Sequence, residues 1–194
     1  MGIEYELKYR ATVQQLAEIR AAITAPEQEF QMETTYYDTP GGALSARHYT
    51  LRLRKENHVC ICTLKTPAPG GGRRELEVEC DDILKALPEF CRRSQVQELP
   101  LLLREGIVPV CGAKFTRIAK TVVTENCTLE LALDQGILLG GGKELPLCEF
   151  EVELKDGTPE AAAQYAEAIA KTYSLEAEPR SKFLRARLLA EGTL

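Results

Sequence analysis

Glu4, Glu6 and Lys8 occupy alternate positions of the segment Ile3 to Lys8, whose other parity is Ile3, Tyr5 and Leu7. In a β-strand this spacing sets two carboxylates and an ammonium on one face and apolar or aromatic side chains on the other. The arrangement recurs along the chain. Arg52 and Arg54 oppose Leu51 and Leu53, and Arg73, Glu75, Glu77 and Glu79 alternate with Arg74, Leu76 and Val78. Glu130 and Asp134 oppose Leu129, Leu131 and Leu133, while Glu149, Glu151, Glu153 and Lys155 oppose Cys148, Phe150, Val152 and Leu154. Lys65 ends the strand-like run from Val59, and Arg117 is the notable charge of the run from Phe115 to Val123. Guanidinium forks suit phosphate oxygens, and carboxylates suit a hard divalent cation such as Mg²⁺ or Mn²⁺. Both halves of a site for a metal-bound triphosphate are therefore present.

These side chains need a scaffold that brings the charged parities together. Seven segments alternate with period two, and Gly- and Pro-containing turns at Thr66 to Gly72 and from Gly136 to Gly142 predict two hairpins. An ordinary antiparallel sheet would turn such faces to water, but a solvated face usually carries more Thr, Ser, Gln and Lys than these do. If the sheet closes into a barrel with its charges inward, Lys8, Arg52, Arg54, Lys65, Arg73, Arg117 and Lys182 meet Glu4, Glu6, Glu75, Glu77, Asp134, Glu149, Glu151 and Glu153. Unpaired ions resist burial by several kcal/mol each, so such an interior requires water and a ligand.

Helices flank the strands. Thr12 and Gln15 form a capping box ahead of a Leu16, Ile19, Ile23 stripe, and Thr158-Pro159-Glu160 opens an Ala-rich helix to about Tyr173. A last helix is predicted from near Ser181 to about Ala190, and a helical region between Asp81 and Glu105 is expected to break at Pro88 and Pro100. Length fits one domain over residues 1–194, with a sizeable core. No apolar run approaches the ~18 residues that span a bilayer and no signal-peptide pattern opens the chain, which predicts a soluble, cytoplasmic protein with no membrane partner. The seven cysteines lack zinc-type spacing and read as reduced thiols, with Cys60 and Cys62 as packing residues. A net charge of −5 disfavours a nonspecific nucleic-acid partner.

Glu4-Tyr5-Glu6-Leu7-Lys8 matches the Glu-x-Glu-x-Lys hallmark of the CYTH superfamily of triphosphate tunnel metalloenzymes. The resemblance continues in order through Tyr36-Tyr37-Asp38-Thr39-Pro40, Leu51-Arg52-Leu53-Arg54, Thr63-Leu64-Lys65, Arg73 to Glu79, Arg117, Asp134, Glu149-Phe150-Glu151-Val152-Glu153 and Ser181-Lys182. It implies an α+β fold, a closed eight-stranded antiparallel β-barrel open at its ends with flanking helices, that hydrolyses or cyclises triphosphates with a divalent metal. It also implies that Glu4, Glu6, Glu149 and Glu151 bind metal and that Lys8, Arg52, Arg54, Lys65, Arg117 and Lys182 grip phosphate. Arg73 joins them by strand parity, with Arg74 the competitor one register step away. Glu75 and Glu77 either orient basic side chains, hold a second metal or balance charge; Asp134 is expected to orient an arginine and Glu153 to support the site's rim.

Phe115 stands where more basic relatives would carry a second cation, and Lys114 and Lys120 have the wrong parity to reach a ligand. His48 and His58 are not needed as bases, because metal polarisation and an oriented water suffice. The leading expectation is an enzyme that hydrolyses inorganic triphosphate to pyrophosphate and phosphate. A class IV-type adenylate cyclase, a thiamine triphosphatase and a non-catalytic polyphosphate-binding module are the alternatives.

Overall fold

Alternation of apolar and charged residues drives most of the chain into one antiparallel sheet. The computed structural model describes residues 2–68 and 72–194; Pro69, Gly70 and Gly71 of the anticipated Thr66 to Gly72 turn, and the side chain of Ile3, lie outside the described residues. The strands are β1 (Gly2–Glu4), β2 (Glu6–Arg10), β3 (Glu27–Asp38), β4 (Thr50–Glu56), β5 (Val59–Pro67), β6 (Arg73–Glu79), β7 (Val108–Val123), β8 (Cys127–Gly140), β9 (Lys143–Gly157) and β10 (Glu176–Ala177). The helices are α1 (Val13–Ala22), α2 (Ile83–Arg93), α3 (Leu99–Leu102), α4 (Pro159–Tyr173) and α5 (Lys182–Glu191).

The strand order is β1-β6-β5-β4-β3-β7-β8-β9-β2-β10. Both ends of this order lead back to the N-terminal segment. β1 pairs with β6, Glu4 opposite Arg73, and β2 pairs with β9, Glu6 opposite Glu153. The seam is Tyr5, whose carbonyl accepts from the Leu154 amide at 2.9 Å. Counting β1 and β2 as one interrupted strand, the expected eight strands are present with a short β10 beside them. The expectation of a closed barrel needs one correction: the covalent chain at Tyr5, rather than a continuous hydrogen-bond ladder, joins the two edges of the tunnel.

Outward apolar residues are covered by helices. Leu16, Ile19, Ala162 and Ala166 of α1 and α4 pack on Leu129, Leu131, Phe150 and Val152, while Ile83, Ala86, Phe90 and Leu99 of α2 and α3 pack on Leu51, Cys62, Leu64 and Leu76. Cys62 is thus a packing residue, as expected, and all seven cysteines are free. The anticipated Thr12–Gln15 capping box starts α1, and Thr158 caps α4. Lys120 turns away from the lumen, as its parity demanded, and donates to the carbonyls of Arg20 (2.7 Å) and Ile23 (2.6 Å), placing a cation at the C-terminus of α1.

Three features depart from expectation. Pro88 does not end a helix but lies inside α2. It and Leu84, whose carbonyl loses its partner, are both exposed, so the missing hydrogen bond falls on the solvent side. β3 was not expected as a strand, because its parity is reversed: Met32, Thr34 and Tyr36 are buried, whereas Glu27, Glu29, Gln31 and Glu33 are exposed. The tunnel is also not open along its whole length. α5 packs Ala186 against Met32, Ala113, Leu138 and Leu147, residues that share the inward parity, and so fills the lumen beyond the charged centre. Among the described residues no helix is long and apolar enough to cross a membrane.

The seating of α5 depends on Gly140, where a Cβ would lie 2.2 Å from the Ala186 carbonyl oxygen and 2.8 Å from the Ala190 nitrogen. Gly140→Ala is expected to lower stability by about 1–3 kcal/mol in denaturant unfolding, the usual cost of overpacking. An unchanged midpoint would show that α5 does not need this close approach.

Candidate active site

The inward side chains line a cavity of about 270 Å³. Glu4, Glu6, Lys8, Arg52, Arg54, Lys65, Arg73, Glu75, Glu77, Arg117, Glu151, Glu153 and Lys182 all border it. Asp134 and Glu149 do not; both are fully buried behind it. The register left open at Arg73 and Arg74 resolves to Arg73 in the lumen. Lys114 lies outside, paired with Glu33 at 2.8 Å.

Strands β4, β5 and β6 supply a basic wall. Arg52 donates to Glu75 at 3.2 Å, and Lys65 reaches Glu4 at 2.6 Å and Glu75 at 3.3 Å. Arg73 donates to the His48 carbonyl at 2.8 Å, to Thr50 Oγ1 at 3.2 Å and to the Lys65 carbonyl at 3.3 Å. His48 thus serves the site through its backbone. Arg54 pairs with Glu56. The Nε atoms of Arg52, Arg54 and Arg73 are buried with no partner among the described residues. Burial, reinforced by the neighbouring charges of Arg52 and Arg117, depresses the Arg54 pKa.

Across the lumen β7, β8, β9 and α5 build a closed ion network. Arg117 grips Asp134 through Nε (2.8 Å) and Nη2 (2.7 Å) and reaches Glu151. Ser181 caps α5 and so starts the helix at Lys182, whose ammonium bonds Asp134 at 2.8 Å, Glu151 at 2.5 Å and Glu149. Arg185, one turn further on, takes the other oxygen of Glu149. The oxygens of Asp134, Glu149 and Glu151 lie within 4.8 Å of one another, a spacing that would suit a cation. Lys182 already supplies that cation. Although burial opposes it, Asp134, Glu151 and Glu149 raise the Lys182 pKa, and Lys182 and Arg117 hold Glu151 well below the usual carboxylate range.

The third zone lies at the seam. Glu4 and Glu6 come from the two halves of the N-terminal strand, with Glu151 and Glu153 on β9 alongside Lys8 and Glu6. Lys65 keeps Glu4 ionised against the cost of burial. Glu6 has only Lys8 as an ion-pair partner among the described residues, at 3.7 Å, and burial together with the charges of Glu151 and Glu4 pushes its pKa up to about 8. Glu153, raised by burial, is held by Lys155 at 2.8 Å. Glu4, Glu6 and Glu151 border the lumen with oxygen donors of the kind a hard divalent cation takes; Glu4 is held by Lys65 and Glu151 by Lys182 and Arg117, and Glu6 alone is short of positive charge.

Reading the sequence alone missed three contributors, Arg185, Glu178 and Phe183. Arg185 stands three residues after Lys182 on one helical face, a spacing that was legible. Glu178 carried no strand signal; it is 1% exposed, accepts from Arg10 Nε and Arg180 Nε at 2.8 Å each, and donates its amide to the Lys8 carbonyl at 2.8 Å. Arg180 foremost, then Arg10, lowers its pKa to about 2, so this carboxylate straps the start of α5 to β2. Tyr36 and Phe183 enter the lumen as an aromatic pair with ring centres 5.2 Å apart.

An antiparallel tunnel with a basic wall facing an acidic seam places the chain in the class of charged β-tunnel domains. The chain belongs to the CYTH-domain family, whose model matches residues 2–186. An inorganic triphosphatase of Haemophilus influenzae is 28% identical over 192 residues, 96% of this chain but 54% of that protein, so the chain spans about half the length of this relative. The triphosphatase candidate YjbK of Bacillus subtilis is 25% identical over 188 residues, 94% of this chain and 93% of that one. Among solved structures, the adenylyl cyclase candidate HpAC1 from Hippeastrum, described as revealing a dominant triphosphatase activity, superposes with a TM-score of 0.69 at 20% identity, covering 100% of this chain and 97% of that one. The PH1819 protein of Pyrococcus horikoshii gives a TM-score of 0.63 at 23% identity over 97% and 99% of the two chains. Both share the fold.

The state of Glu6 has a measurable signature. Without metal it titrates near 8 when folded and near 4.5 when unfolded, so the folded state holds the extra proton between those values. Its contribution to stability therefore falls as pH rises from about 4.5 to about 8 and is flat above. In chelator, the melting temperature of Glu6→Gln is expected to gain on the wild type's across that window and to match it in acid. A gap that shrinks as pH rises would contradict the assigned environment.

Proposed function

We propose that this chain hydrolyses triphosphates inside its lumen, with inorganic triphosphate the best-suited substrate, and that residues 1–194 act as one domain. The observation that carries this reading is the set of buried guanidinium Nε atoms on Arg52, Arg54 and Arg73 without partners among the described residues, facing a carboxylate short of positive charge at Glu6. The triphosphatase activity for which the Haemophilus relative and HpAC1 are described supports it. The free cysteines fit a reducing, cytoplasmic setting.

Arg52, Arg54, Lys65 and Arg73 bind the phosphate chain along one wall and hold positive charge against the phosphoryl oxygens as the departing pyrophosphate gains charge. Arg117 and Lys182, immobilised by Asp134, Glu149 and Glu151, present charge from the opposite wall without reorganisation. Glu75 keeps Arg52 and Lys65 oriented, Thr63 Oγ1 tethers Glu77 at 3.3 Å, and Glu153 supports the rim beside Glu6. Glu4, Glu6 and Glu151, which border the lumen, would hold the divalent cation, Mg²⁺ or Mn²⁺, Glu151 exchanging part of its contact with Lys182 and Arg117 for the metal; Glu149, fully buried behind the lumen wall and bound by Lys182 and Arg185, serves instead to fix those cations. A cation bound there polarises phosphoryl oxygens and increases the acidity of a bound water. Lys8, directly opposite Glu151 in the strand register and 3.7 Å from Glu6, balances part of the charge of these carboxylates. Water adds to the terminal phosphorus, the P–O bond to the next phosphate breaks, and orthophosphate and pyrophosphate leave.

The purified chain is expected to release phosphate from inorganic triphosphate with Mg²⁺ or Mn²⁺ and not in chelator, faster than from ATP or thiamine triphosphate. Glu4→Gln combined with Glu6→Gln should stay folded and lose at least about 100-fold in metal-dependent turnover, the scale on which catalytic electrostatics act. Cyclic AMP as the main product from ATP would replace the hydrolase with a cyclase, and tight triphosphate binding without any product would leave a binding module.

A further inference from the structure

We infer that Asp38 is a positioning residue for the phosphate site, its carboxylate shaping the turn whose carbonyl holds the Arg73 guanidinium; this rests on the triphosphate reading of the lumen. Among the described residues Arg73 makes no ion pair, whereas Arg52 pairs with Glu75, Arg54 with Glu56 and Lys65 with Glu4. The acceptors of Arg73 are neutral, and all three take Nη2: the His48 carbonyl at 2.8 Å, Thr50 Oγ1 at 3.2 Å and the Lys65 carbonyl at 3.3 Å. Neutral acceptors fix the direction of a guanidinium without cancelling its charge, which leaves the rest of the fork for an anion.

Thr50 and Lys65 face each other in the β4–β5 ladder, so the sheet places them. His48, which supplies the shortest of the three bonds, lies outside the ladder. Its φ is +59°, a left-handed conformation that a residue other than glycine adopts only when its surroundings impose it. Asp38, 3% exposed at the end of β3, supplies the constraint. Its Oδ1 accepts from the amides of Thr39 at 2.7 Å and Leu44 at 2.9 Å, and its Oδ2 from the amide of Ser45 at 3.1 Å. Leu44 and Ser45 are where the short 3₁₀ turn over Ser45–Arg47 begins, and His48 ends that turn. The His48 amide donates to the Ser45 carbonyl at 2.9 Å, and the Tyr49 amide returns to the Leu44 carbonyl at 2.9 Å. One buried carboxylate thus fixes the residues on which both neighbours of the His48 carbonyl are hung, and through that carbonyl it aims Arg73.

Asp38→Asn keeps the side chain's size but turns one acceptor toward the turn into a donor. Removing a negative charge would by itself favour a polyanion, so weaker binding reports the geometry. The variant is expected to bind inorganic triphosphate about fivefold more weakly by calorimetry in chelator, and to raise KM by a similar factor, more than it lowers kcat. In an Arg73→Ala background the same substitution should change neither affinity nor KM further, while its loss of melting temperature stays the same in both backgrounds. His48→Val, which disfavours the left-handed conformation at an exposed side chain, should raise KM as Asp38→Asn does and should also lose that effect without Arg73; it carries the test where Asp38→Asn does not fold. Unchanged or tighter binding in these variants overturns the inference, and so does an equal loss with and without Arg73, which would make the turn structural. An Arg73→Ala chain that binds triphosphate as well as the wild type overturns this inference but not the proposed hydrolysis. A wild-type chain that does not bind triphosphate at all overturns both.

Discussion

Ionised groups leave water only when other charges meet them, and the tunnel is organised around that requirement. On the side of β7, β8 and α5 the requirement is satisfied by protein alone: Lys182, Arg117 and Arg185 neutralise Asp134, Glu149 and Glu151 through direct contacts. On the side of β4, β5 and β6, Lys65 and Glu75 balance part of the wall, but guanidinium Nε atoms remain without acceptors among the described residues. At the seam the deficit has the opposite sign, with Glu6 short of cations. Two deficits of opposite sign in one cavity are what a polyphosphate and its metal would fill together.

The fold places these deficits through two local devices. The break at Tyr5 sends Glu4 toward β6, next to Lys65, and Glu6 toward β9, next to Glu151 and Glu153, so successive inward residues of a single motif serve different halves of the lumen. The other device is α5. Its docking on inward-facing Leu138 and Leu147 brings Lys182 and Arg185 under the sheet, and Glu178 anchors its approach to β2. Apolar packing at one end of the tunnel thereby fixes the charges at its centre.

Charge parity made β4, β6, β8 and β9 legible, because helices cover their apolar outer faces and force the charges inward. The same logic hid β3, whose outer face meets water and whose inner face carries Met32, Thr34 and Tyr36. Parity also placed Lys114 and Lys120 outside the lumen. It could not reveal that the Asp134, Glu149 and Glu151 oxygens would already be bound by Lys182, since that depends on where a helix from the end of the chain docks. Nor could it separate Arg73 from Arg74, a choice made by the pairing of Glu4 with Arg73. Pro88 was misjudged because a helix tolerates proline when the orphaned carbonyl faces solvent.

The central claim is that cation and phosphates meet between the seam and the basic wall. Its most direct test is a crystal structure of the chain with Mn²⁺ and a triphosphate, read by the anomalous signal of the metal. The account predicts a peak bordered by Glu4, Glu6 and Glu151, with phosphate oxygens on Arg52, Arg54 and Arg73. A peak among Asp134, Glu149 and Glu151 with Lys182 displaced, or phosphates bound outside the lumen, would contradict it.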